Sequence, residues 1–203
     1  MFEPAFALLG APITWLELWA FVLALACVVC NVLEIHWGWP LAIASSVLYA
    51  WLFYASKLYG EGGLQLYFAA ASAWGWWQWL FGKRVAAAGT SEPLMIARLG
   101  ARARVLILCC WFVAWPLAGL LLARITDTDV PFFDAFPTVG SVIGQILLGR
   151  KFIENWPVWL LVNLASVGLF AYKGLWLTAL LYVIFAVLAA VGWIRWTRVA
   201  AAA

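Results

Sequence analysis

Charge is the scarcest thing in this sequence. Asp, Glu, Lys and Arg make up 10% of its 203 residues, and there is one histidine. A soluble domain draws about a quarter of its residues from those four types to keep its surface hydrated, so a water-soluble globule is excluded. Nucleic-acid binding is excluded too. The net charge is only +3, and the basic residues sit at the ends of apolar runs instead of clustering on one surface. Catalytic signatures are missing as well: there is no HExxH, GxSxG or phosphate-binding loop. No nucleophile sits beside a base, and no pair of acids lies deep in an apolar run. The chain is therefore read as a non-enzyme with no cofactor and no metal site, and without an ATP-binding domain it cannot be a self-sufficient pump. The four cysteines make no disulfide framework, because Cys27 and Cys30 lie inside AFVLALACVVCNVL and Cys109 and Cys110 inside another apolar run. A CxxC spacing with no His or acid beside it favours plain packing. The N-terminus begins with an acid, Glu3, and lacks the basic region of a cleavable signal.

What the chain has instead is apolar length. Hydrophobic residues make up 67% of it, with a mean hydropathy of +1.00, and that surplus must face lipid. A span of the bilayer core takes about 20 mostly apolar residues. Runs at 15–34, 40–58, 63–81, 105–123, 136–149, 157–173 and 175–195 predict seven transmembrane helices in one integral membrane domain. The fifth is diluted by Ser141, Gln145 and glycines.

The chain also repeats itself. A shift of 117 positions, without a gap, aligns Trp39-Pro40 with Trp156-Pro157, Leu52-Phe53 with Leu169-Phe170 and Leu64 with Leu181. Phe68 then falls on Phe185, Gly75-Trp76 on Gly192-Trp193, Trp79 on Trp196 and Glu17 on Asp134. Matches of Leu to Leu are cheap among apolar helices, but a Trp-Pro pair and a G-W-x-x-W run in one register are not. The repeat predicts a three-helix unit over 15–81, a loop and linker helix over 82–131, and a second three-helix unit over 132–198. An odd linker lets two odd units run in parallel, the architecture of the sugar-carrying SWEET transporters. That raises transport as a function by analogy. Lys83, Arg84, Arg98, Arg102, Arg104, Arg150, Lys151, Arg195 and Arg198 fall on one side of the predicted membrane. Only Lys57, Arg124 and Lys173 fall on the other, beside Asp127, Asp129 and Asp134. The positive-inside bias puts the C-terminus and the 82–104 loop in the cytoplasm and the N-terminus outside.

Polar side chains inside a bilayer are costly unless they face protein or water, so they mark candidate sites. Gln65, Ser72, Trp76 and Trp79 recur at helical spacing in the third run, and Trp156, Trp159, Asn163 and Ser166 in the sixth. Ser141 and Gln145 share a face of the fifth, and the second offers Ser45, Ser46 and Tyr49. Two such stripes facing one another would make a pocket with aromatic walls and amide donors and acceptors. Aromatic walls stack planar rings and attract cations, and amides read a carboxamide or sugar hydroxyls. The expected ligand is a small, planar heterocycle with polar substituents. Trp15, Trp19, Trp111, Trp115 and Trp176 are assigned to the interfacial belt. His36 is placed in a cytoplasmic loop, and Glu154, Lys151 and Asp134 are read as residues that cap or flank helix ends.

The run from Trp39-Pro40 through Ser45-Ser46, Leu48-Tyr49, Phe53-Tyr54 and Leu58-Tyr59 to Gln65, Gly75-Trp76 and Trp79 resembles the PnuC family of bacterial vitamin transporters. So does Asp134 to Ser141, followed by RKFIENW over 150–156, then Trp159 and Asn163. The resemblance covers nearly the whole chain. It implies a multi-pass inner-membrane transporter of nicotinamide riboside, built three-one-three and assembled as a homotrimer. It also implies facilitated diffusion, with a cytoplasmic kinase trapping the substrate. The family's pocket is carried onto Gln65, Trp76, Trp79, Gln145, Trp159 and Asn163. Ser72 is a departure, because nicotinamide riboside members carry Asn four residues before the Trp of the G-W pair. A hydroxyl replaces an amide there, which leaves thiamine, another planar vitamin cation, as an alternative cargo. From a different class, the chain could be the substrate-capture subunit of an ATP-driven importer, which co-purification of an ATPase would reveal.

Overall fold

The computed structural model describes residues 4–8, 11–55, 59–85, 91–126, 128–172 and 176–202. Glu3, Lys57, Leu58, Asp127 and Lys173 lie outside the described residues, as do the side chains of Glu17, Phe53, Tyr59 and Trp176. The chain divides into two compact units, 1–94 and 95–203.

The first unit opens on a β-hairpin, β1 (Pro4–Leu8) paired antiparallel with β2 (Ala11–Thr14). Three helices follow, α1 (Trp15–Val32), α2 (Gly38–Ala55) and α3 (Tyr59–Phe81). A second hairpin closes the unit, β3 (Lys83–Val85) against β4 (Ser91–Pro93), setting Arg84 opposite Glu92. The sequence predicts helices only, so both hairpins correct it. Strands of three to five residues are too short to carry a legible alternation. Helix α2 is the centre of the unit, packed on α1 and α3. Ser45 ties it to α1 by donating its hydroxyl to the Ala20 carbonyl at 2.8 Å.

The second unit holds α4 (Ala101–Ile125), α5 (Pro131–Gly149), α6 (Asn155–Tyr172) and α7 (Trp176–Ala202). Helix α6 packs on α5 and α7, and α4 lies on α5. The α4–α5 contact is aromatic. Trp111 is 4% exposed, stacks on Phe136 at 5.0 Å and donates its indole N–H to the Phe136 carbonyl at 3.3 Å. Trp115 meets the same ring edge-on at 5.3 Å and donates to the Phe132 carbonyl. Neither belongs to the belt to which composition assigned it. Trp15 and Trp19, about half exposed, do face outward.

Among the described residues α4, α5 and α7 are long and apolar enough to cross a membrane, and α1 and α2 carry shorter apolar stretches at Leu18–Val32 and Gly38–Leu52. Gln65, Ser72 and Gln78 dilute α3, and Asn155, Asn163 and Ser166 dilute α6. The two most polar-studded interiors therefore belong to the helices that carry most of the candidate ligand residues.

The α1–α2 and α5–α6 turns are built alike. The chain's two non-glycine residues with positive φ among those described are Glu34 (61°) and Lys151 (54°), 117 positions apart. Ile35 donates its N–H to the Cys30 carbonyl at 2.8 Å and Glu34 to Asn31 at 3.2 Å, and Phe152 donates to Leu147 and Lys151 to Leu148, both at 3.0 Å. Each set is a Schellman closure, in which a left-handed residue lets the chain satisfy the last helical carbonyls. Trp39 then donates to His36 at 3.2 Å and Trp156 to Ile153 at 3.1 Å, opening the next helix in the same way.

Candidate functional site

In the first unit, α3 carries four predicted residues on one face. Ser72 is buried, and Gln65, Trp76 and Trp79 are half-buried. Tyr49 is half-buried on α2. The Trp76 indole N–H is buried and meets no acceptor among the described residues. A donor left so costs about 1–3 kcal/mol, but the buried indoles of Trp39 and Trp156 share this state, so it does not by itself mark a ligand contact. Trp37, from the α1–α2 turn, packs against Trp76 at 6.4 Å between ring centroids and meets His36 at a tilt of 33°, 5.3 Å apart. Trp79 meets Trp39 edge-on, at 5.5 Å and 83°. Ser45 is spent on its bond to Ala20 and has no proton left for a ligand.

In the second unit, α5 and α6 touch where Gly144 leaves room for Trp159. A Cβ at Gly144 would stand 3.0 Å from the Trp159 ring, and Gln145, the next residue of α5, is buried. Asn163, four residues along α6 from Trp159, is buried. Trp156 does not join them. Its ring lies on Gly192 of α7, where an added Cβ would come within 2.7 Å. Trp156 and Trp159 stand about 60° apart on a helical wheel, and α6 turns that difference into contacts with two different neighbours. The single stripe read from the sequence is therefore two.

The residues at helix ends differ from their readings. Asp134 does not cap α5: Val130 does, and Asp134 sits within the first turn and accepts the Thr128 hydroxyl at 2.5 Å. Glu154 does more than flank α6. One oxygen accepts the Leu99 N–H at 3.1 Å and the other pairs with Arg104 Nη2 at 2.9 Å. Two backbone bonds at 3.0 Å, from Ala97 to the Lys151 carbonyl and from Ile153 to the Ala97 carbonyl, fasten the same segment to the α5–α6 turn.

Sequence reasoning missed three buried amides. Asn155 holds the turn by donating Nδ2 to the Phe152 carbonyl at 2.7 Å, Asn31 donates to Cys27 Sγ at 3.5 Å, and Gln78 is buried at the end of α3. Their signal was present, since an amide inside an apolar run is rare, but Gln78 was hidden among four tryptophans. No three His, Cys, Asp or Glu side chains converge on a possible metal position among the described residues. A shallow apolar depression of about 400 Å³ on α4, lined by Cys109, Cys110, Val113, Ala114 and Leu117, holds none of the predicted site residues. Each unit, taken alone, thus carries indole rings and amides on the same helices, residue types suited to a flat, uncharged or cationic ring with hydrogen-bonding substituents.

Residues 14–198 match the model of a family described as nicotinamide mononucleotide transporter. The nicotinamide riboside transporter PnuC of Escherichia coli K12 is 25% identical over 210 residues, covering 92% of this chain and 87% of that one. The riboflavin/roseoflavin transporter RibM of Streptomyces davaonensis is 28% identical over 192 residues, covering 95% and 89%. The crystal structure of the vitamin B3 transporter PnuC aligns with a TM-score of 0.73 at 25% identity, covering 91% of this chain and 81% of that one.

Proposed function

The chain belongs to the nicotinamide mononucleotide transporter family, and from that premise we propose that it carries nicotinamide riboside across the bacterial inner membrane. The family's description and its characterised relatives point to cargoes that differ by a phosphate, and the helices favour the one without it. None of α1, α2, α3, α5 or α6 contains a lysine or arginine. A phosphate dianion taken into such an interior would find no cationic partner, and an unpaired buried charge is prohibitively costly. The riboside's pyridinium needs no anion if indole faces receive it. In the first unit Trp76 and Trp79 offer faces for the pyridinium and Gln65 a partner for its carboxamide or ribose, with Ser72 and Tyr49 completing the set; in the second unit Trp159 offers a face and Gln145 and Asn163 hydrogen bonds. The lack of lysine and arginine in five of the seven helices is the observation that carries the choice of riboside.

The remainder of the reading rests on the repeat and on the resemblance. Two turns with the same hydrogen bonds 117 positions apart support an internal duplication arranged three-one-three, each three-helix unit moving as a body in alternating access. Transport runs down the gradient, a cytoplasmic kinase traps the product, and the protein works as a homotrimer with its N-terminus outside. A second cargo is favoured by one specific finding, the similarity to a riboflavin transporter; the isoalloxazine ring would suit the same indoles. Calorimetry on the detergent-purified protein, with nicotinamide riboside, nicotinamide mononucleotide, riboflavin and thiamine side by side, tests the proposal. Saturable binding of the riboside with none of the mononucleotide is expected. Preference for the mononucleotide, or for either other vitamin, would overturn the assignment.

A further inference from the structure

Two tryptophans outside the candidate site occupy matching places. Trp39 opens α2 and is 1% exposed; Trp156 opens α6 and is 3% exposed. Each lays its ring on a glycine of the following helix. A Cβ at Gly75 would fall inside the Trp39 ring's van der Waals envelope, and one at Gly192 would stand 2.7 Å from the Trp156 ring. One turn beyond each glycine comes a second tryptophan, met edge-on: Trp79 at 5.5 Å and 83°, Trp196 at 5.4 Å and 87°. The constellation of Trp, Gly and Trp is the same in both units, at the same offset of 117.

The two copies differ in what they leave open. Trp196 is 0% exposed, so neither face of its ring is accessible to a ligand. Trp79 is only half-buried. An edge-to-face contact fixes the plane of the ring it touches, and a stacked ligand reads that plane. We propose that Trp39 is a positioning residue for substrate: wedged on Gly75, it sets the plane of Trp79, while the matching pair Trp156–Trp196 serves packing alone. The inference rests on Trp79 contacting the substrate, as proposed above. Trp39 is too deeply buried to do so itself.

The two copies act as each other's control. Trp39→Phe and Trp156→Phe remove the same indole from equivalent places, so their costs in packing are comparable. Riboside dissociation constants would be measured by calorimetry on the monodisperse fraction of each, with melting temperatures alongside. Trp39→Phe is expected to weaken binding about threefold to tenfold, the range of an aromatic pair contact. Trp156→Phe is expected to lower the melting temperature and leave binding within about twofold. Should Trp39→Phe give too little folded protein, Gly75→Ala and Gly192→Ala repeat the comparison, because each new methyl displaces its tryptophan. Equal effects on binding from the two copies, or none from the first, would overturn the positioning role. Trp79→Ala, run in parallel, separates the premise: if it binds the riboside normally, Trp79 is not a contact and the inference falls with it. If Trp79→Ala binds weakly and Trp39→Phe binds normally, the premise stands and the inference alone fails.

Discussion

At the scale of single residues, the tryptophans sort into three uses that composition cannot separate. Trp15 and Trp19 face outward, Trp111 and Trp115 bond the α4–α5 seam, and Trp76, Trp79 and Trp159 are the ones proposed for ligand. The indole has the same hydropathy in all three, and only its neighbours decide. For the ligand group, Trp79→Ala and Asn163→Ala are each expected to abolish most riboside uptake at normal membrane levels. Losing a buried hydrogen bond or an aromatic face costs about 1–3 kcal/mol, roughly fivefold to more than a hundredfold in affinity. Uptake of radiolabelled riboside into cells, normalised to protein in the membrane, checks this, and wild-type uptake in both would remove these residues from the site. Ser45 shows the opposite lesson. A polar residue beside the candidate stripe is a tie between helices, and its role depends on the Ala20 carbonyl, which spacing does not reveal.

At the scale of elements, helix positions were legible because bilayer spans are long and turns are short. The predicted runs fall within a few residues of six of the seven helices, but the seventh continues to Ala202 and the hairpins went unseen. The two helix-ending turns were not legible either, since neither carries the glycine that usually marks a left-handed closure. A non-glycine residue in that region is strained by about 1 kcal/mol. Glu34→Gly and Lys151→Gly are therefore each expected to raise the melting temperature of the purified protein; a fall in both would show that the side chains hold the turns. Glu154 gives a second prediction. Glu154→Ala releases the Leu99 N–H and Arg104 together, so trypsin is expected to cut at exposed Arg98 several-fold faster in the folded protein. An unchanged cleavage rate would mean that the two backbone bonds to Ala97 suffice.

At the scale of the whole molecule, the class was legible from composition, whereas cargo hangs on what the interior lacks. The proposed passive transport makes a sharp prediction: exchange of labelled for unlabelled riboside in proteoliposomes should proceed at the same rate with or without a proton or sodium gradient. Acceleration by either gradient would require a coupling ion. A reporter fused to the C-terminus should be active on the cytoplasmic side. The paired turns carry a last consequence. Residues 33–40 and 150–157 share the same hydrogen-bond pattern yet agree in sequence only at the final Trp-Pro. Six of the eight positions differ, so the turn is set by its hydrogen bonds and not by its letters. One turn carries an aromatic shelf of His36 and Trp37 against Trp76, the other an acidic clasp on the chain before α4. The same backbone closure thus serves two unlike surfaces.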